Sequence, residues 1–526
     1  MKKPTRNFDE NKLIRYSVLV LFLIPAILWI GLKSPLECAI FASLDDGFYY
    51  PKIAQNFLRC GKFTYDNITV TNGFHPLWQI TILPLYLVFP GALAGLRAVY
   101  ILLIIIGLLN TYLYLKICEK LKIGIAGLFI GMFFLFLNFR MFTLWFCLLE
   151  TSMVLLALQI LALSWIKWEG KRNAFIFGLL AGLVFLARTD NVFLLAILGL
   201  YISYRTGKQI SIRKGVIEVL KYAAGIAVFA VPYLITNLVY FGKILPVSGA
   251  RKIRLSGEML SRFPRVIREF VWFWSSRVSY YLGVGNIVLY IIITGIAILA
   301  IGAFIILKRK RKLAVSGVIT NKLLPFVIGA ILHYLFVAHF MPTEAPYSFW
   351  YLIQEMAVIT FIVVGLITDI SNSFPKKIGR LIDVVSIVIV LFLLTAEIVY
   401  YPKYIEKRYS EPYDLAEYIK CNTDCDELFT CYDSGRLSYF SERNFIAANG
   451  LAGDYELAIL ASSDSRFENI IYRYGVDWVV LKIEEDKYRE FGGSFEYASG
   501  VFQLYPGCDC RLVLLRTTDF HHSMIN

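Results

Sequence analysis

The chain has 526 residues, 58% of them apolar and 17% charged, with a mean hydropathy of +0.61. A soluble protein of this length does not need so much apolar surface, so the composition excludes a purely soluble class and points to a multi-span membrane protein. The formal charge of +14 would suit nucleic acid. Much of it, however, sits in short loops between apolar runs, as the positive-inside rule requires, so the expected partners are membrane lipids and not nucleic acid.

Residues 13–32 are apolar and follow Lys2, Lys3, Arg6, Lys12 and Arg15. No small-residue cleavage site is evident, so the run reads as a retained first span with a cytoplasmic N-terminus. The polar loop 33–75 is then external. Residues 76–90 are broken by Pro84 and bounded by Pro76 and Pro90, and are short for a crossing. The span 97–115 ends in Lys116, Lys120 and Lys122. If those lysines are inside, 76–90 cannot cross and forms a re-entrant or surface-embedded helix on the external side.

Further spans follow at 123–139, 152–166, 174–187, 191–204 and 217–238. A long external loop, 240–280, precedes a span at 283–307, which ends in Lys308-Arg309-Lys310-Arg311-Lys312. The last spans are 322–340, 349–368 and 381–400. The result is about eleven crossings, with the C-terminus outside. From 402 the composition turns polar. Strand-like pieces at 476–481 and Leu512–Leu515, helix-like Tyr413–Ile419 and turns such as Asp433-Ser434-Gly435 predict a small α/β domain over 402–526. The fold class is therefore mostly α: a polytopic helix bundle, residues 1–401, with a C-terminal extracytoplasmic α/β domain.

Nine cysteines give no zinc spacing. Cys421, Cys425, Cys431, Cys508 and Cys510 cluster in the C-terminal part, where an external location would allow one or two disulfides.

The adjacent carboxylates Asp45 and Asp46 open the most informative stretch. They suit N-capping of the helix near Phe48. They equally suit a base that deprotonates an acceptor hydroxyl, since neighbouring carboxylates raise one another's pKa. Glu150 and Arg188 flank apolar spans, where ionisable groups are costly and tend to be functional. Arg188, Arg251 and Lys252 are external cations able to hold a leaving phosphate, to bind lipid headgroups, or to pair with Asp190 or Glu150. His75 either caps the helix after it or contacts a substrate. Lys52 lies one turn from Asp45–Phe48 and can pair with a carboxylate. His333 and His339, spaced i, i+6, suit packing or an interface better than a metal. Tyr347, Trp350 and Tyr351 read as an interfacial aromatic belt, ahead of a platform for a sugar. Asn67-Ile68-Thr69 fits a glycosylation sequon. No cofactor is expected, although Asp45, Asp46 and Glu150 offer oxygen ligands for a divalent cation.

Asp45-Asp46, Tyr50, Ile53-Ala54, Asn56, Gly61, Phe63-Thr64-Tyr65-Asp66 and Asn72-Gly73-Phe74-His75-Pro76-Leu77-Trp78 resemble the first external loop of GT-C superfamily membrane glycosyltransferases. The plan is similar to that of protein O-mannosyltransferases and the enzyme that adds aminoarabinose to lipid A. Leu149-Glu150-Thr151, Ala187-Arg188-Thr189-Asp190, the basic stretch Pro246–Lys252, Asp433-Ser434-Gly435 with Tyr439, and Asn449-Gly450-Leu451 resemble later blocks of the same group. Cys60-Gly61-Lys62 and Thr189 depart from its pattern.

The resemblance implies a sugar donor on a polyprenyl phosphate and a glycan, lipid or protein acceptor. It implies Asp45 as the catalytic carboxylate, beside Asp46. Around them it implies a substrate-binding set of Glu150, Arg188, Asp190, His75, Arg251, Lys252, Lys52 and Tyr50. The absence of a Rossmann fingerprint or P-loop agrees with a lipid-linked donor. The competing reading is a polytopic lipid or polysaccharide transporter, which should carry ionisable residues mid-span and inverted repeats.

Overall fold

The computed structural model describes residues 7–42, 44–168, 173–252, 315–340, 348–405, 410–491, 495–505 and 508–520. The expected span 283–307 and most of the loop 240–280 lie outside them.

The first part is a bundle of apolar helices. Among the described residues four helices are long and apolar enough to cross a membrane, at Ala92–Leu121, Ile212–Phe241, Trp350–Ser373 and Lys376–Thr395. Shorter apolar helices accompany them at Leu19–Leu32, Pro76–Val88, Ile125–Leu137, Thr151–Ile166, Ala174–Ala187 and Lys322–Val337. Capping chemistry sets several ends. Asn173 accepts from Phe175 N, and Ser211 accepts from Lys214 N. Gly242, at φ +67, stops the helix Ile212–Phe241, because a left-handed residue costs glycine least.

The segment 123–139 departs from the regular helix expected of a span. After Ile125–Met132 the chain makes a π-helical turn at Phe133–Leu137, breaks at Asn138, and restarts as Phe139–Trp145. Asn138 explains the break. Its amide Nδ2 donates to the Phe133 and Phe134 carbonyls while its Oδ1 accepts from Met141 N. It thus caps one helix end and starts the next.

The C-terminal part holds a mixed sheet in the order β2-β1-β3-β6-β4, with β5 also on β6. β1 (Leu428–Cys431) runs parallel to β2 (Asn444–Ala447) and to β3 (Trp478–Glu484). β6 (Cys508–Arg516) is antiparallel to β3, to β4 (Tyr497–Ala498) and to β5 (Phe502–Tyr505). β3 is buried on both faces over Trp478–Leu481, as strands covered on both sides are.

One face packs on the helices Tyr455–Leu460 and Arg466–Tyr474 through Leu457, Phe467 and Ile470. The other face packs on the helix Glu411–Asn422 and also on Tyr49, Ile53 and Tyr65. The loop 33–75 is therefore part of the core of the C-terminal domain, although the two lie near opposite ends of the sequence. The helix Tyr49–Cys60 is buried on every side over Tyr49–Asn56, wedged between the bundle and the sheet.

Among the described residues no disulfide joins Cys421, Cys425 and Cys431, and Cys431 is not bridged to Cys510. The sheet explains why for the buried two. Cys431 on β1 is level with Val480 and so with Leu514, whereas Cys510 pairs with Glu484, with β3 between.

Candidate active site

Helix ends from the bundle converge beneath the sheet, and Glu150 is their hub. It sits in the turn before Thr151–Ile166 and is 3% exposed. Tyr50 Oη donates to its Oε2 at 2.7 Å, Arg188 Nη1 reaches Oε1 at 3.2 Å, and His75 Nε2 lies 3.4 Å from Oε1. Burial pushes the Glu150 pKa up, but His75, Arg188 and the tyrosine hydroxyl outweigh it and hold the carboxylate below its usual range.

Arg188 leaves the end of Ala174–Ala187 in an extended conformation. It forks onto Asp190, donates to the Trp350 carbonyl and lies 4.5 Å over the Tyr351 ring. With two carboxylates against it, its charge is already spent. Lys252 differs. Its Nζ donates to Tyr351 Oη at 2.6 Å, and among the described residues it makes no salt bridge. Burial opposes its charge, yet Tyr351, Asp46 and Glu150 keep the ammonium protonated above the usual lysine range.

Asp45 and Asp46 are half-buried. Asp45 does not cap its own helix. Its Oδ2 accepts from Gly435 N at 2.8 Å and its Oδ1 from Arg436 N at 3.0 Å, both on the C-terminal domain. Burial and the Asp433 charge raise the Asp45 pKa to about 6, against the pull of Arg436 and the two amides. The Asp46 side chain accepts no hydrogen bond among the described residues. Burial raises its pKa, Lys252 works against this, and Asp433 and Glu150 add to it.

The Asn72–Trp78 block positions this centre. Asn72 Oδ1 accepts from Val247 N and its Nδ2 donates to Asn237, which fixes the short helix Val247–Lys252. Trp78 Nε1 donates to the carbonyl of Leu148, which has a left-handed φ of 66° two residues before Glu150. Gly73 has no room for a Cβ, which would stand 2.1 Å from Leu451 O.

Of the sequence-predicted residues, the structure brings together Asp45, Asp46, Tyr50, His75, Glu150, Arg188, Asp190 and Lys252. Two turn elsewhere. Lys52 pairs with no carboxylate: its buried Nζ donates to the Ser438 and Arg443 carbonyls at 3.0 Å each. Arg251 reaches the carbonyls of Asn449 and Ala461. Both cations join the C-terminal domain to the bundle. The amide of Asn67, in the sequon, donates to Asn444.

Three expectations are corrected. Tyr351, expected in an interfacial belt, turns its ring to Arg188 and its hydroxyl to Lys252, and Trp350 gives Arg188 its main-chain carbonyl. His75 starts its helix without capping it through the side chain. His333 is neither packing nor interface: Nδ1 lies 2.6 Å from Glu355 Oε1 and Nε2 3.3 Å from Asp190 Oδ2. Tyr347 and the His339 side chain lie outside the described residues. Sequence reasoning did not single out Glu355, although an ionisable residue inside an apolar run was a usable signal. It also did not single out Arg436, which had no local signal.

No group of three or more metal-binding side chains occurs among the described residues.

No family model matches the chain, and no curated relative matches it. Solved structures do. One is the oligosaccharyltransferase of Archaeoglobus fulgidus, crystallised with zinc and sulfate. It is 14% identical, over 90% of this chain and 69% of that one, with a TM-score of 0.51. ArnT from Cupriavidus metallidurans bound to undecaprenyl phosphate is 11% identical, over 97% and 98%, with a TM-score of 0.50. The same ArnT in its apo state is 11% identical, over 99% and 100%, with a TM-score of 0.52. This chain shares with these neighbours a GT-C-like fold, a membrane helix bundle with a C-terminal α/β domain.

Proposed function

We propose that the protein is a membrane glycosyltransferase that moves a sugar from a polyprenyl-phosphate carrier to an acceptor on the external face. One observation carries the reading: a pair of half-buried carboxylates, Asp45 and Asp46, shares a site with Lys252, a half-buried cation that makes no salt bridge among the described residues. Carboxylates suit an acceptor hydroxyl, and such a cation suits a leaving phosphate. The undecaprenyl phosphate bound in the ArnT structure is of the class of carrier lipid that would leave in this reaction.

In this reading the acceptor oxygen attacks the anomeric carbon. The bond from that carbon to the phosphate oxygen breaks, and its electron pair leaves with the lipid phosphate, against Lys252. The hydroxyl proton passes to Asp45. Its two oxygens each accept one main-chain hydrogen bond and keep further lone pairs for that proton. Arg188 acts one step back, holding Tyr351 and Glu150 in place. The N-terminus is cytoplasmic and the C-terminal domain external in this reading, and residues 76–90 do not cross.

The transporter reading gains from one observation, the ionic chain Arg188–Asp190–His333–Glu355 running into the bundle. Intramembrane charges of this kind line proton or substrate paths. One experiment separates the two. Purified protein is given radiolabelled polyprenyl-phosphate sugars in proteoliposomes. Transfer or release of the sugar supports the transferase, and translocation without cleavage overturns it.

A further inference from the structure

The C-terminal domain meets the catalytic loop directly, main chain against side chain. The turn Asp433–Arg436 gives two main-chain N–H groups to the two oxygens of Asp45. The approach is close enough that position 435 must be glycine: a Cβ there would stand 2.1 Å from the Asp45 carbonyl oxygen and 3.1 Å from Oδ2. A second bond braces the same turn, between Ser434 Oγ and Tyr65 Oη at 2.9 Å, and Tyr65 is wholly buried. Around the carboxylate stand Asp433 and Arg436 from the domain and Asp46 from its own loop. The neutral Tyr49, Tyr65, Tyr413 and Cys431 complete its surroundings.

We propose that the turn Asp433–Arg436 is a positioning element of the catalytic centre, with the Gly435 and Arg436 amides fixing the orientation of the Asp45 carboxylate. The C-terminal domain then builds the site and does not merely cover it or receive the acceptor. The proposal deepens the glycosyl-transfer reading and rests on it for the chemical consequence, but the latch itself is tested without activity.

The physical reason is directional. Two N–H donors of fixed geometry hold a carboxylate against rotation, and a base misplaced by about 1 Å loses on the order of 10² in rate. They also stabilise its ionised form. No ligand needs to bind the turn, because Asp45 already fills it.

The first arm is hydrogen exchange, read by mass spectrometry on the full chain in nanodiscs, comparing wild type with Asp45→Ala. Amides over 433–437 should exchange about tenfold faster in the variant, the loss of roughly one hydrogen bond. Those of β3 should be unchanged. Equal protection over 433–437, or loosening of β3 as well, overturns the latch.

The second arm is donor turnover against pH in Gly435→Ala. The rate constant kcat should fall by about 10- to 100-fold with donor KM nearly unchanged. The acid limb should move to higher pH, because the ionised carboxylate has lost its donors. Tyr455→Phe, which removes a domain contact to the Leu245 carbonyl, should keep the wild-type profile. A uniform loss across pH with an unmoved limb would mean a structural role only and would overturn the proposal. If wild type cleaves no lipid-linked sugar at all, the glycosyl-transfer reading fails, while the exchange arm still decides the latch.

Discussion

Tyr50 donates a 2.7 Å hydrogen bond to Glu150 across one hundred residues of sequence, while its neighbour Tyr49 accepts one from Asn449 of the C-terminal domain. Consecutive residues of one helix thus tie the bundle on one side and the sheet on the other. Tyr50 holds the first loop against the buried charge hub.

That hub is the first testable point. Glu150→Gln keeps the shape but leaves Arg188 facing only Asp190. Breaking a buried ion pair costs about 3–5 kcal/mol, and the lower end applies because Asp190 stays. Thermal unfolding in detergent should therefore drop clearly, and activity with it. The pH dependence has a definite sign. The Glu150 pKa is lower in the folded protein than its ordinary value of 4.5. Its contribution is present above that value and is lost as pH falls through the folded pKa. Wild type should weaken on acidification below 4.5 more steeply than Glu150→Gln, and parallel curves would refute the hub.

Lys52 gives a slope of the same sign in a higher pH window. Burial, with Arg59 adding to it, lowers its pKa from 10.5 to about 7. Between these values the unfolded chain holds a proton that the folded one has released, so stability rises with pH, by up to about 1.4 kcal/mol per unit. Below about pH 7 the folded state carries the full cost of a buried ammonium. Lys52→Met removes this slope and the ammonium's bond to the Ser438 carbonyl, at about 1–3 kcal/mol, whereas the Arg443 carbonyl still accepts from Ser438 Oγ. Proteolytic release of the C-terminal domain, followed from about pH 7 to 10, should slow with pH in wild type and stay flat in the variant.

Helix ends are legible wherever period and caps agree: 152–166 and 174–187 are the helices Thr151–Ile166 and Ala174–Ala187. The strand-like runs at 476–481 and 512–515 pair as β3 and β6, with Val480 opposite Leu514. The break at Asn138 is not legible, because a π-turn carries no periodic mark of its own. The Asp45–Gly435 and Lys52–Ser438 contacts join residues 390 and 386 positions apart, and no local rule of propensity or spacing reaches that far. The boundary at 402 suffers for the same reason. It follows the change in composition, whereas the packing assigns Tyr49, Ile53 and Tyr65 to the sheet.

That packing sharpens what a truncation should do. Removing residues 405–526 exposes Tyr49, Ile53 and Tyr65, each at most 5% exposed in the intact chain. At about 1.5–3 kcal/mol for a large buried side chain, the first loop should lose its order. Donor hydrolysis and transfer should both disappear in the truncated protein. Hydrolysis that survives while transfer fails would mean that the domain serves the acceptor alone.

The topology can be read by labelling. In a background with Cys60, Cys421 and Cys425, the exposed thiols among the described residues, and Cys508 replaced by serine, single cysteines are introduced at 93, 460 and 310. Membrane-impermeant maleimide added outside should label 93 and 460 and spare 310. Protection at 93 would mean that residues 76–90 cross the membrane.

The decisive comparison is between Asp45 and Asp46. Asparagine keeps the shape of aspartate, but at position 45 it cannot keep both bonds. Asp45 accepts from two amides, whereas the substituted asparagine would accept from one and turn its NH2 toward the other. A purely structural Asp45 should therefore lose about 1–3 kcal/mol on Asp45→Asn, the penalty of one unmade buried hydrogen bond, and retain turnover once folded. A base at Asp45 should instead lose about 10²–10⁴ in rate at every pH while the folded variant still binds donor lipid. In wild type the acid limb of the rate should lie at about 6, where burial and Asp433 put the Asp45 pKa. Asp46→Asn removes a carboxylate that repels its neighbours and attracts Lys252. It should cost less in rate and weaken the hold on the ammonium, and hence on the leaving phosphate. Full turnover in Asp45→Asn with loss in Asp46→Asn would transfer the role of base to Asp46. Equal losses at both would mean that the two carboxylates act as one unit, sharing a proton or a cation between them.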